Sequence, residues 1–142
     1  MTLYRVSDDL IASYLQTDYQ ITINNDPISL QINHYSPQLA QLLKTAQQPY
    51  GAIISAYNPR SQLQNDENNA RAHRLLQDYL SNWNYAIAAS LHKDLLGKWP
   101  IEKGFFVIGL NLENACLIGQ QFNQNAIVWI GNDAISRLIL LN

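Results

Sequence analysis

The chain has 142 residues, of which 47% are hydrophobic and 14% charged, and its formal net charge is −2. That length suits one core, because a chain of about 150 residues buries roughly 70% of its unfolded surface, so residues 1–142 read as a single domain. So low a charge lacks the basic footprint of a nucleic-acid binder, and no apolar run approaches the roughly 18 residues of a membrane span.

Ser7-Asp8-Asp9 reads as an N-cap with an acidic first turn, opening a short helix through Leu10, Ile11, Tyr14 and Leu15 that ends near Thr17. Tyr19, Ile21 and Ile23 then alternate with polar residues, Asn24-Asn25-Asp26-Pro27 supplies a turn, and Ile28, Leu30 and Ile32 alternate again, which predicts a hairpin. Ser36-Pro37 is a cap followed by proline at the first helical position, and Leu39, Leu42, Leu43 and Ala46 carry the helix to Gln47-Gln48-Pro49.

The stretch 51–80 organises the rest. An apolar strand (Ala52, Ile53, Ile54, Ala56) runs through Tyr57-Asn58-Pro59-Arg60-Ser61 into a helix opening near Asn65, whose predicted buried stripe is Ala72, Leu75, Leu76, Tyr79 and Leu80. Residues 85–91 read as a strand, 92–104 as an irregular mobile connection interrupted by Gly97 and Pro100, and 105–110 as an apolar strand. Asn111 caps a helix with Leu112, Ala115, Cys116, Gly119 and Phe122 at helical spacing, and a final hairpin over 126–141 turns at Gly131-Asn132-Asp133. From residue 51 the order is strand, helix, strand, strand, helix, strand. The expected fold is therefore α+β: a mixed, mainly antiparallel sheet with packed helices, a split β-α-β core, and N-terminal and C-terminal hairpins.

Polar side chains without an evident structural task gather at the 57–71 joint. Asn58, Arg60 and Ser61 lie between a strand end and a helix start, where backbone N–H groups point outward and a polar or anionic ligand could be held. Asn58 could equally start a turn, with Pro59 fixing its φ. Asp66 and Glu67 already offset the helix's positive end, and no Gly-rich phosphate loop is present. Glu67 and Arg71, four apart, can pair on a helix face, and Asn68 is placed on the side of Ala72 and Leu75. Trp99 could cover the joint or plug a gap, and Gln124 could offer its amide to a ligand or end a helix.

His34, His73 and His92 show no ligand spacing, so no metal is expected, and no motif implies a cofactor. Cys116, the one cysteine, excludes an internal disulfide and sits where a small core residue belongs. Asp8 and Asp9 follow Met-Thr-Leu-Tyr-Arg where a leader needs its apolar centre, which leads to an expectation of a soluble, unprocessed protein.

A family resemblance rests on Tyr14-x-x-Thr17-x-Tyr19, Ser55-Ala56-Tyr57-Asn58-Pro59-Arg60-Ser61, Glu67-Asn68-x-x-Arg71, Trp99-Pro100-x-Glu102 and Phe122-x-Gln124-Asn125-Ala126. Together these blocks, spread over most of the chain, resemble a bacterial domain-of-unknown-function family, number thirty-two ninety-three. The resemblance implies a bacterial, cytoplasmic protein and brings no reaction.

Two functions of different kinds follow. One is a small-ligand site, with Arg71 and Arg60 on an anionic group, Asn58 and Ser61 orienting it, and Glu67 or Glu102 as general acid or base, so that an enzyme is left open. The other is a non-catalytic module presenting the same edge and the Trp99 loop to a protein partner.

Overall fold

The computed structural model describes residues 6–141; the opening Met-Thr-Leu-Tyr-Arg, which bore on the leader question, lies outside them. Among the described residues, four α-helices are each started by the side chain of the residue before them: Ser7 for α1 (Asp8–Leu15), Ser36 for α2 (Pro37–Ala46), Asn65 for α3 (Asp66–Asn82) and Asn111 for α4 (Leu112–Gln121). Each cap oxygen accepts from the backbone N–H three residues on, which satisfies a donor the helix cannot.

The strands of the described residues are β1 (Thr17–Ile23), β2 (Asp26–Leu30), β3 (Gly51–Ser55), β4 (Ala86–Asp94), β5 (Glu102–Ile108), β6 (Ala126–Ile130) and β7 (Ser136–Leu140). They form one sheet in the order β2-β1-β4-β5-β3-β6-β7, and all six pairings are antiparallel. Within it, β4-β5-β3-β6 has the order of a split β-α-β unit, with β1 and β2 added beyond β4 and β7 beyond β6. The α+β reading thus stands, and the mainly antiparallel sheet is antiparallel throughout.

Alternation along the strands divides the apolar residues between two clusters. Ile53, Phe106 and Val128 join Tyr19, Ile21, Leu30 and the α2 residues Leu39 and Leu43 on one face. Ile54, Phe105 and Val107 join Leu76, Leu80, Ala115 and Ile118 of α3 and α4 on the other. The segment after β2 reaches the start of β7, where Asn33 N–H donates to Ser136 O at 2.7 Å and Ser36 N–H to Ala134 O at 3.0 Å. The sheet curls around the first cluster, and one mouth of the curl opens beside α1.

Two expectations need correction. Both ends of 92–104 are paired: Leu91 opposes Lys103, His92 opposes Glu102, and β1 adds Thr17 opposite Asp94, which leaves 95–101 as the hairpin loop. On α3 Ala72, Leu76, Tyr79 and Leu80 face inward as expected and Asn69 and His73 join them, while Asn68 and Leu75 are exposed. The helix phase thus turns Asn69 and His73 inward in place of Asn68 and Leu75. Its N-terminal amide chemistry sets that phase, because Asn69 is held by the preceding loop.

Candidate functional site

The mouth of the curl forms a cleft floored by a row of side chains from three strands. Tyr19 opposes His92 across β1 and β4, and His92 opposes Glu102 across β4 and β5, so all three project from the same face. Tyr19 and His92 rings lie 4.9 Å apart, and His92 Nε2 shares a 2.9 Å hydrogen bond with Ser90 Oγ. The imidazole fits because the neighbouring position is glycine: a Cβ on Gly104 would stand 2.9 Å from His92 Cε1 and 2.5 Å from Ile54 O. Leu10, Ser13 and Tyr14 of α1 wall the other side. The cavity is small, about 60 Å³, which is room for roughly five waters at about 10–15 Å³ each.

A hydrogen-bonded chain of amides builds the rim. Asn58 is buried in the left-handed region (φ 45°), which Asn tolerates better than most residues. Its Nδ2 donates to Glu102 Oε2 at 2.7 Å, and its Oδ1 accepts from Gln64 N–H at 3.1 Å and Asn69 Nδ2 at 3.1 Å. Asn69 Oδ1 accepts in turn from Asn58 N–H at 2.9 Å and Gln64 Nε2 at 2.7 Å. Trp99 Nε1 donates to the same Glu102 Oε2 at 3.0 Å, which draws the half-buried indole onto the rim. Gln124 Nε2 donates to Tyr57 O at 3.2 Å, and Asn125 Nδ2 to Ser61 Oγ at 2.8 Å, tying the start of β6 to the loop.

Burial dominates the proton affinities here. It pushes His92 down to about 3, with His73 adding to the effect, so the imidazole is neutral. It raises the Tyr19 hydroxyl, with Tyr14 and Glu102 acting in the same direction. It also raises the Glu102 carboxyl, against the opposing pull of the Trp99 and Asn58 hydrogen bonds. Behind the sheet, His73 stacks on Phe105 at 4.5 Å and is lowered by its burial and then by Lys103.

Of the residues singled out from the sequence, Asn58, Ser61, Trp99, Glu102 and Gln124 line this cleft. The others are elsewhere. Arg71 pairs with Glu67 at 3.5 Å with their side chains 62% and 82% exposed, and among the described residues no hydrogen bond joins Arg71 to the 57–61 loop. Asn68 and the Arg60 side chain are exposed and outside the lining. Nor does the loop offer free N–H groups to an anion: Arg60 N–H is taken by Asn123 O, Ser61 N–H by Asn58 O and Gln62 N–H by Pro59 O. Cys116 is half-buried on α4, where burial raises its thiol, contrary to what a nucleophile needs.

Sequence reasoning missed Tyr19, His92, Asn69 and Gln64. For His92 the signal was the alternation Ser90, His92, Asp94, which continues the inner face of β4. For Asn69 it was the spacing from Asn69 to Leu76 and Leu80, a seven- and eleven-residue separation that repeats on one helix face.

Among the described residues, no cluster of three His, Cys, Asp or Glu side chains could hold a metal, and no helix is long and apolar enough to cross a membrane. A family model described as "Protein of unknown function (DUF3293)" matches residues 54–127, just over half of the chain. The match spans Asn58, Asn69, His92, Trp99, Glu102 and Gln124, and leaves α1 and Tyr19 outside it. Neither the comparison with curated proteins nor that with solved structures gives a match.

Proposed function

The chain belongs to the DUF3293 family, whose description names no activity, and we propose from the cleft itself that this protein binds a small polar ligand at the mouth of its curled sheet. One observation carries the reading: Asn58 and Trp99, from different loops, converge on a single oxygen of the partly buried Glu102. Holding a desolvated carboxylate in place with two donors costs solvation that a packed apolar residue would not, and perturbed acids of this kind concentrate at functional sites. The anionic alternative loses its support, because Arg60 and Arg71 do not line the cleft. Within this reading Glu102 is the group suited to receive or give a proton, and Glu67 has no part in it.

The test is mass spectrometry of small molecules that co-purify with the protein from its native host, beside Glu102→Ala and Trp99→Ala. A compound retained by the native protein and lost from both folded variants supports the reading. Failure of the protein to retain any compound, together with no thermal stabilisation across a metabolite library, overturns it.

A second reading has its own observation. Leu95, Leu96 and Ile101 are exposed on the β4–β5 hairpin tip, a compact apolar group suited to a protein partner. Trp99 does not add to it as a free anchor, since its N–H is held by Glu102.

A further inference from the structure

Among the described residues, the cleft's charge is one-sided. Glu102 and Asp94 line it, and among the described residues no Lys or Arg does. Asp94 is committed to the hairpin loop, its two oxygens accepting from Leu96 N–H at 3.1 Å and Lys98 N–H at 2.9 Å. Glu102 is not: Asn58 and Trp99 both donate to Oε2, and neither to Oε1. Neutral His92 beside it brings no compensating charge. Tyr14, Tyr19, Tyr57 and Trp99 line the same cleft.

Rings of this kind attract cations through their faces, and more strongly where water is excluded. A metal ion is a poor match, because it asks for several anionic or imidazole ligands converging on one point, and no such cluster exists among the described residues. An anion would meet Glu102 directly. A neutral polyol could hydrogen-bond to Oε1 and would leave the carboxylate's charge unanswered. An organic cation answers both demands, with positive charge for the carboxylate and C–H surface for the rings.

Resting on the reading of this cleft as a ligand site, we propose that the group it takes is an ammonium, the primary or methylated amine of a small molecule, held against Glu102 between the rings of Trp99, Tyr57 and Tyr19. A cavity of about 60 Å³ admits such a headgroup, while the rest of the molecule extends from the mouth past Ser61 and Gln124.

The experiment is two-dimensional NMR of the full chain, with the Trp99 indole N–H assigned through Trp99→Phe. Methylammonium and tetramethylammonium chloride are compared with tert-butanol and sodium acetate at constant ionic strength. At least one ammonium probe is expected to shift the Trp99 signal saturably and to bind about ten-fold more tightly than tert-butanol. Glu102→Gln is expected to weaken it by about ten-fold, and Glu67→Gln, an exposed carboxylate away from the cleft, to leave it unchanged. Equal weakening by Glu67→Gln would reduce the effect to net charge and overturn the proposal. Tert-butanol or acetate binding as tightly as the ammonium probes overturns the ammonium class and leaves the cleft as a ligand site. If no probe and no library compound shifts the cleft signals, both readings fall. Where Glu102→Gln loses its native spectrum, the comparison among probes on the native chain decides alone.

Discussion

Asn58 Nδ2 and Glu102 Oε2 meet at 2.7 Å across 44 residues of sequence, and through this bond the loop after β3 is fastened to the start of β5. Asn58→Ala would strip partners from Glu102, Asn69 and Gln64 together and place alanine at a left-handed φ. The expected loss is about 2–4 kcal/mol, combining unsatisfied buried groups with backbone strain. Asn58→Gly keeps the backbone and loses the bonds, so its smaller loss by urea denaturation measures the side-chain share.

Asn69 and Asn68 are neighbours with opposite fates. Asn69→Ala should destabilise by about 1–3 kcal/mol, since Asn58 N–H and Gln64 lose their acceptor, while Asn68→Ala should stay within about 0.5 kcal/mol. Denaturation midpoints of the two variants decide the phase of α3, and equal effects would contradict it.

Arg71→Lys and Arg71→Ala should both leave stability within about 0.5 kcal/mol, because an exposed i,i+4 pair is screened by water. Ligand retention in the mass-spectrometric assay should also be unchanged. A clear loss of retention would return Arg71 to the site.

Gly104→Ala puts a methyl 2.5 Å from Ile54 O and 2.9 Å from His92 Cε1, contacts the β3–β5 pairing cannot relieve without opening. A loss of about 2–3 kcal/mol is expected, at the upper end of ordinary overpacking. The His92 ring signals should move as well, and a variant with native stability and unchanged His92 signals would refute the packing account.

His92 and Glu102 should contribute to the pH dependence of stability with opposite signs. The native pKa of His92, about 3, lies below the ordinary 6.5, so between these values the unfolded chain binds a proton that the native chain refuses. The stability contributed by His92 is therefore complete above the ordinary value and lost as pH falls toward 3. That gap bounds the loss at about 5 kcal/mol. Glu102 acts in reverse: its native carboxyl is raised above 4.5, so stability falls as pH rises from there through the raised value. Glu102→Gln, whose amide oxygen can still accept from Asn58 and Trp99, should abolish that decline and leave the His92 limb intact. Denaturation curves of both proteins across this range, with the His92 ring signals static from about pH 8 to about pH 5, check the signs.

The features that the sequence determined by itself are those whose causes are local. Ser7, Ser36, Asn65 and Asn111 start helices because a side-chain oxygen needs only the backbone N–H three residues away, and Ser36-Pro37 adds a proline with φ preset for a helix. The alternation of Tyr19, Ile21 and Ile23 and the strand–helix order from residue 51 likewise carried the α+β architecture, since patterning requires no knowledge of partners. Asn58, Ser61, Trp99, Glu102 and Gln124 could be picked out as polar or aromatic residues left over from the core. Tertiary structure alone decided what depends on a distant partner. β4 runs on through His92 to Asp94 because β1, far earlier in the chain, supplies the pairing through Tyr19 opposite His92 and Asp18 opposite Lys93. Asn69 rather than Asn68 turns inward because the Asn58 loop offers it two hydrogen bonds, worth more than the small difference in apolar burial between adjacent helix phases. Arg71 stays in water because the helix phase that turns Asn69 inward leaves Arg71 on the exposed face beside Glu67. The row Tyr19, His92 and Glu102 exists only once three strands are in register, which no one of them encodes.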